Sequence, residues 1–275
     1  MDLELLKVIP PWEWPEDTAT KLLEALRDNR LDPADRRLAA ELAGDYTVVN
    51  DELFEALLTV LHDPAETEEV RATAAIALGP ALESASFDGF EFPEEVPISE
   101  TMFDRARAAL RELFADESLP TLVRRRVLEA AVRAEEDWHR QAIRDAWSDP
   151  DPLWKRTAVF GMEYVSGFDG EILEALDSSD EEIVYHGILA AGAWELDAAW
   201  PALEGILASE TDDKALLLAA IEATVTVRPE DAAPYLGELL DHDDGDVQDA
   251  AMEALQMAEM LDDLDDLDDE DDSLN

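Results

Sequence analysis

The sequence repeats one unit, an amphipathic helix, a polar turn and a second amphipathic helix, along most of its 275 residues. The turns are rich in Asp, Pro and Ser and begin near Asp28, Asp63, Asp116, Asp149, Ser179, Thr211 and Asp241. Their spacings are 35, 53, 33, 30, 32 and 30 residues, so all but one are close to a single period. Such a period is typical of repeat proteins, in which one unit is too small to bury its apolar face alone.

Apolar residues within each unit follow the spacing of a helix rather than that of a strand. In the second unit, Leu53, Leu57 and Leu61 recur every four residues, and Asp51 is placed to cap the helix that they define. Alternation with a period of two is absent, and Ala, Leu and Glu dominate where strands favour β-branched residues. The sequence therefore predicts an all-α protein, a curved right-handed α-α solenoid of about seven helix pairs over residues 18–260.

The second unit also carries a more specific motif. Its first helix ends in a pattern close to L-x-x-L-L-x-D at Leu57–Asp63, and its second helix reads V-R-x-x-A-x-x-A-L-G at Val70–Gly79. This pattern resembles the HEAT repeat of armadillo-like solenoids, and the whole chain is similar to the short HEAT-repeat proteins of prokaryotes. The resemblance implies an interaction scaffold as the commonest function, whereas other HEAT arrays are similar to bilin lyases or to the di-iron hydroxylase of deoxyhypusine.

The chain is strongly acidic: 69 Asp and Glu residues against 20 Lys and Arg residues give a net charge of −49. Such a charge repels itself in dilute buffer, but the Debye length falls to about 3 Å near 1 M salt, where the repulsion nearly vanishes. The acids are spread along the whole chain, and only four of the basic residues are Lys. This composition resembles that of halophilic archaeal proteins. The alternative is that the acidic surface binds a basic partner.

The 53-residue interval contains an insertion at residues 83–100, in which three Phe residues stand beside two Pro residues. Aromatic side chains in such a loop either grip a partner or pack back onto the array, where they fill the seam between the second and third helix pairs. Phe90 and Phe92 are the candidate contacts under the first hypothesis, and packing is the alternative.

Both ends of the chain depart from the repeat. Residues 1–17 carry Trp12 and Trp14, which are expected to cover the open end of the first helix pair, with a binding role as the alternative. Nine of the eleven residues at 262–272 are acidic, and Asp both forms helices poorly and opposes the macrodipole at a helix C-terminus. The last helix is therefore expected to fray near residue 261, so that residues 261–275 form an acidic disordered tail.

Basic residues are concentrated in the middle of the sequence. Residues 105–156 hold eleven of the 20 Lys and Arg residues and ten acids, so this stretch has a net charge of +1. If these side chains share one face of the array, they form a strip for a carboxylate, a phosphate or an acidic peptide. The candidate contacts are Arg124, Arg125, Arg133 and Arg156. The alternative, favoured by the similar repeat positions of Arg71, Arg124 and Arg156, is a structural ladder with acids of other repeats.

Motifs for catalysis and cofactor binding are missing from the sequence. It contains no HExxH, GxSxG, GxGxxG or GxxxxGK[ST] pattern, and the absence of Cys excludes thiolate metal sites and cysteine nucleophiles. The four His residues lack the His-Glu pairing that the hydroxylase resemblance requires. No metal or other cofactor is therefore expected, and the acidic surface argues against nucleic acid as a partner.

The function that these observations favour is a non-enzymatic scaffold that binds a protein or peptide along its inner face and is adapted to high salt. The opposing hypothesis is an enzyme or an enzyme accessory, of a lyase-like or oxidoreductase-associated kind. No run approaches the roughly 18–20 apolar residues of a membrane span, and the N-terminus lacks the cationic start of a signal peptide. A cytoplasmic location without a membrane partner is therefore expected.

Overall fold

The computed structural model describes the backbone of residues 3–209, 211 and 213–272, together with the side chains as far as residue 260 except residue 259. All regular structure in these residues is helical, which confirms the all-α fold. Three short 3-10 helices, Leu3–Val8, Pro11–Glu13 and Asp197–Ala199, accompany the α-helices. No described helix combines the length and the continuous apolar sequence that crossing a bilayer requires.

The α-helices of the described residues form seven consecutive pairs. Each pair consists of two helices and an intervening turn, and all seven turns lie where the Asp- and Pro-rich sequence predicts them. The pairs are α1 (Thr18–Arg27) with α2 (Pro33–Ala43), α3 (Asp51–His62) with α4 (Glu68–Asp88), α5 (Glu100–Ala115) with α6 (Thr121–Ala131), α7 (Asp137–Trp147) with α8 (Pro152–Met162), α9 (Asp169–Leu176) with α10 (Glu181–Ala193), α11 (Trp200–Leu207) with α12 (Lys214–Val227), and α13 (Pro229–Leu239) with α14 (Gly245–Asp272).

The acidic turn residues also explain where several of the second helices begin. Asp32, Asp151, Asp180 and Asp213 are N-cap residues, and each side chain accepts a hydrogen bond from the backbone N–H two residues later. Such a cap satisfies an N–H group that has no partner within the helix, and it contributes about 1 kcal/mol. The local sequence therefore sets these helix starts before any packing is considered.

The chain divides into two compact units, residues 1–145 and 146–275, and the boundary lies near the end of α7. In the first unit the second helices lie side by side, with α4 packed between α2 and α6 and also in contact with α3. In the second unit α10 packs between α8 and α12, and α12 also contacts α14. Successive pairs therefore form a file within each unit, and each unit has an apolar core of its own.

One close approach in the first unit requires a glycine. Gly44 ends α2, and a Cβ atom at this position would lie 2.4 Å from the carbonyl oxygen of Ala77 in α4. The nearest atoms belong to the backbone and the Cβ of Ala77, which cannot swing aside as a long side chain can. Gly44 thus lets α2 and α4 pack backbone against backbone at this point.

The insertion begins later than the sequence predicts. The helix α4 continues to Asp88 because Leu82 and Ala85 remain buried on the face that packs into the core. The loop therefore spans residues 89–99, and its predicted start at residue 83 is wrong. A break in the repeat period shows that residues have been added, but a helix persists for as long as its buried face does.

The last helix also continues further than predicted. The backbone of α14 is helical as far as Asp272, whereas the acidic sequence predicts fraying near Leu261. Leu261, Leu264 and Leu267 recur every three residues, a spacing that places them at neighbouring positions on a helix. The predicted disordered tail is thus helical backbone to this point, and its last three residues lie outside the described part of the chain.

Candidate binding surface

The second helices of the first three pairs each carry an Arg residue four positions after the N-cap. Each guanidinium donates a hydrogen bond back to a carbonyl near the end of the preceding helix. The bonds are Arg36 Nη1 to Ala25 O (3.4 Å), Arg71 Nε to Leu61 O (2.9 Å) and Arg124 Nε to Phe114 O (3.2 Å). Because the last carbonyls of a helix have no partner within it, these arginines complete the first helix of their own pair.

Other basic residues link one helix pair to the next. In three places a Lys or Arg of a second helix forms an ion pair with an acid in the turn of the following pair. These ion pairs are Arg36 with Glu66, Arg156 with Asp180 at 2.9 Å, and Lys214 with Asp244 at 2.8 Å. The hydrogen bond from Lys214 also lowers the pKa of the Asp244 carboxyl. Arg156 therefore lies in a ladder between repeats, as the structural hypothesis for it requires.

The two remaining candidate arginines are also engaged within the chain. Arg125 is only 5% exposed and lies 3.8 Å from Glu129, so its predicted position on a partner-facing surface is wrong. Adjacent helical residues point about 100° apart, and here Arg125 points inward. Arg133 pairs with Glu83 of α4. Since neighbouring carboxylates neutralise these charges, the contacts do not support a strip that attracts an anionic partner.

The loop between α4 and α5 is held in place by buried anchors. The ring of Phe90 packs 5.5 Å from that of Phe103, centroid to centroid, and Ile98 is buried. The hydroxyl of Tyr46, in the α2–α3 loop, donates a hydrogen bond to the carbonyl oxygen of Glu95 at 3.0 Å. For Phe90 the structure therefore agrees with the packing alternative, and the loop is an ordered part of the first unit.

Three aromatic side chains on or beside this loop are exposed to solvent. Phe87, at the end of α4, is 90% exposed, Phe92 is 56% exposed, and Tyr46 is also exposed. Residues 84–99 contain no Lys or Arg. They contain four exposed acids, Asp88, Glu91, Glu94 and Glu95. We call the three aromatic residues and these four acids the acidic aromatic surface.

The N-terminal segment covers the first helix pair with one of its two tryptophans. Trp14 packs against the core of the first unit, and its Nε1 donates a hydrogen bond to the carbonyl oxygen of Leu6 at 3.0 Å. Trp12 is 78% exposed, so the prediction that it shares this capping role is wrong. The two side chains differ because the short 3-10 helix turns one toward the core and the other toward solvent.

A groove of about 480 Å³ lies between this segment and the second helices. Most of its lining is apolar and includes Trp14 from the N-terminal segment with Ile76 and Pro80 from α4. Asp45 also lines the groove and immediately precedes Tyr46, so the groove adjoins the acidic aromatic surface. A volume of this order accommodates a few side chains of a bound peptide.

Two of the histidines make hydrogen-bond or ion-pair contacts within the chain. The imidazole of His139 is buried and its Nδ1 accepts a hydrogen bond from the backbone N–H of Glu136; burial lowers its pKa to about 4. His186 Nδ1 lies 2.5 Å from Glu163 Oε1. Among the side chains that the structure describes, no three His, Asp or Glu residues are grouped so as to hold a metal ion.

Residues 170–269 match the family model that describes HEAT repeats. This segment is similar to HEAT repeats. The matched HEAT segment corresponds to the last three helix pairs, α9 to α14, and the helix-turn-helix geometry of the earlier pairs is of the same kind. No curated protein matches the sequence.

Several solved structures are similar to this chain at low sequence identity. YibA of Escherichia coli is 18% identical, with a TM-score of 0.45 over 90% of this chain and 84% of its own. Human deoxyhypusine hydroxylase in complex with glycerol is 16% identical, with a TM-score of 0.41 over 91% and 87%. A designed armadillo repeat protein is 17% identical, with a TM-score of 0.35 over 86% and 98%.

Proposed function

We propose that this HEAT-repeat protein is a non-enzymatic scaffold that binds a protein or peptide partner at the acidic aromatic surface. The observation that carries the proposal is the exposure of Phe92, on a loop that is itself anchored by Phe90 and Ile98, and of Phe87 at the end of α4 just before that loop. A loop that packed only to fill a seam would bury its aromatic residues. A fixed loop and the helix end before it, which together present two Phe side chains to solvent, have the form of a binding surface.

The energies involved are sufficient for recognition. Burying one Phe side chain contributes about 1.5–3 kcal/mol, so two of them together supply roughly 3–6 kcal/mol before any polar contact is counted. Binding costs are lower when the surface is ordered beforehand, because fewer side chains and loops must be immobilised. The anchoring of residues 89–99 meets this condition. Phe92 thus remains a proposed contact, whereas Phe90 supports the loop.

The proposal places the protein in the cytoplasm and involves no cofactor, no nucleic acid and no membrane. The net charge of −49 repels polyphosphate backbones and anionic lipid surfaces. The arginines that the sequence suggests as contacts have intramolecular roles, so we expect them to affect stability rather than partner binding. Proteins that use exposed apolar residues on an acidic background bind other proteins more readily than they bind such polyanions.

Affinity capture tests this proposal directly. We expect the Phe87→Ser/Phe92→Ser double variant to lose the partners that the unchanged chain retains from an extract of its own cells, because it lacks both aromatic side chains that a partner would cover. The control is Leu240→Ser, which removes an exposed apolar side chain of residues 146–275. An Arg124→Gln/Arg156→Gln variant is expected to keep the partners. Equal capture by the Phe variant and the unchanged chain would refute this binding surface.

We also propose that the fold is adapted to high salt. Because self-repulsion of 69 acids is screened only at high ionic strength, we expect the helical circular dichroism signal to decline as NaCl is lowered from about 3 M to about 0.05 M. A variant that ends at residue 260 lacks nine acids and should need less salt. Constant helicity across the series would contradict the proposal.

A further inference from the structure

We infer that the partner segment is basic: the acidic aromatic surface recognises a peptide in which Arg or Lys side chains flank one large apolar residue. This inference rests on the proposed function and assigns the partner class. The charge of this partner is opposite to that of the anionic partner that the central arginines suggest from sequence. The reason is that those arginines form ion pairs within the chain, whereas residues 84–99 contain no Lys or Arg.

The local charge of the surface is entirely negative. Its four acids are exposed, and residues 84–99 supply no base to neutralise them. The charged residues that line the adjoining groove are Lys7, Glu41 and Asp45; Lys7 lies 3.6 Å from Glu4, and Glu41 forms an ion pair with Arg37 at 3.4 Å. A cationic side chain is attracted to the four exposed acids of the loop, and an anionic one is repelled.

The aromatic rings provide a second kind of attraction for the same side chains. Elsewhere in the molecule, aromatic faces are covered by the chain's own cations. The three examples are Arg107 over Phe103 at 5.2 Å, Arg124 over Phe114 at 5.4 Å and Lys155 over Trp147 at 4.2 Å. Among the described side chains, no Lys or Arg covers Phe87 or Phe92. These rings are therefore open to a cation from a partner, which the electron-rich face of an aromatic ring attracts.

The groove accounts for the apolar component of the ligand. Trp14, Ile76 and Pro80 form an apolar lining next to the acids, so one large apolar side chain can enter the groove while its charged neighbours stay at the rim. A second copy of this chain also has apolar residues to offer. It carries the same charge of −49, however, and the approach of two such surfaces is unfavourable.

Synthetic peptides test the inference without knowledge of the natural partner. The probe is a fluorescein-labelled peptide of about twelve residues with one central Leu flanked by Arg and Lys, compared with matched peptides carrying Ser or Glu in place of the bases. Fluorescence anisotropy is measured at the lowest salt at which circular dichroism shows a folded chain. We expect the basic peptide to bind at least about tenfold more tightly than the Ser peptide, and the Glu peptide not to bind.

Variants distinguish local recognition from general attraction to an acidic protein. Phe87→Ser/Phe92→Ser is expected to weaken binding of the basic peptide by about tenfold or more. Replacing Glu91, Glu94 and Glu95 with Gln should weaken it and reduce its salt dependence. The matched control removes three exposed charges elsewhere, in Glu230→Gln/Asp241→Asn/Asp243→Asn, and should leave the affinity nearly unchanged.

Three results would overturn the inference. Equal losses in the two charge variants would mean that net charge alone attracts the peptide. Equal binding of the Ser or Glu peptide would remove the preference for a base. Self-association in light scattering that is lost in the Phe variant would identify a second copy as the occupant. If one of these results is found but the Phe87→Ser/Phe92→Ser variant still loses the cellular partners, the scaffold proposal stands and only the inference of a basic peptide is refuted. If the variant captures the same partners as the unchanged chain, both the scaffold proposal and this inference are refuted.

Discussion

Replacing Arg36 with Met is expected to lower the free energy of unfolding by about 3–5 kcal/mol, the cost of leaving a buried charge without its partner. The side chains of Arg36 and Glu66 are 6% and 11% exposed, and they form an ion pair between the first and second helix pairs. Once the guanidinium is removed, the carboxylate of Glu66 stays in a poorly hydrated site. The substitution also removes the hydrogen bond to the carbonyl oxygen of Ala25.

Urea denaturation at constant high salt measures this loss. Arg30→Met is the matched control, because Arg30 forms its ion pair with Asp28 on the surface and such pairs contribute little. In the double variant Arg36→Met/Glu66→Leu neither charge remains, so we expect it to recover a large part of the lost stability. A loss for Arg36→Met no greater than that for Arg30→Met would show that the ion pair does not connect the repeats.

Titration of His139 is expected to change the free energy of unfolding by about 3 kcal/mol between about pH 6.5 and about pH 4. Burial lowers the pKa of its imidazole to about 4 from a usual value near 6.5, Glu136 opposes that shift and Arg107 adds to it. Between these two pH values the unfolded chain takes up a proton that the folded chain does not. The folded state therefore has this contribution in full above about pH 6.5, and loses it progressively as the pH falls toward about 4.

The matched measurement compares the unchanged chain with His139→Asn, in which the side-chain oxygen can replace Nδ1 as the acceptor for the backbone N–H of Glu136. The many carboxylates titrate in both proteins, so the difference in unfolding free energy between them isolates the imidazole. We expect the advantage of the unchanged chain to shrink as the pH falls from 7 to 4. His62→Gln, at an exposed histidine, is the control, and a constant difference for His139→Asn would contradict the assignment.

The repeat organisation could be predicted from sequence because its determinants are local. A capping Asp acts on an N–H two residues away, and the apolar stripe of a helix is visible within a few turns, so all seven turns were predictable. Helix ends were harder to predict, and α4 and α14 both extend past their predicted ends. For α4 the reason is that its buried face depends on neighbours that are distant in sequence.

The binding surface was harder to predict because neighbouring residues of one type have opposite environments. Arg124 reaches back to Phe114, whereas Arg125, the next residue, is buried. Phe90 packs against the core while Phe92, two positions later, is exposed. Composition and spacing identify such residues as unusual. Which of them faces solvent depends on the packing of other helices, and no local signal in the sequence specifies that.

The missing methyl group at Gly44 has a consequence for the groove beside it. Gly44 and Ala77 both line that groove, so the distance at which α2 and α4 meet also sets its width. Any larger residue at this position would pry the two backbones apart and widen the cleft that Trp14 and Pro80 enclose. The width of the groove thus depends on the absence of a side chain at Gly44.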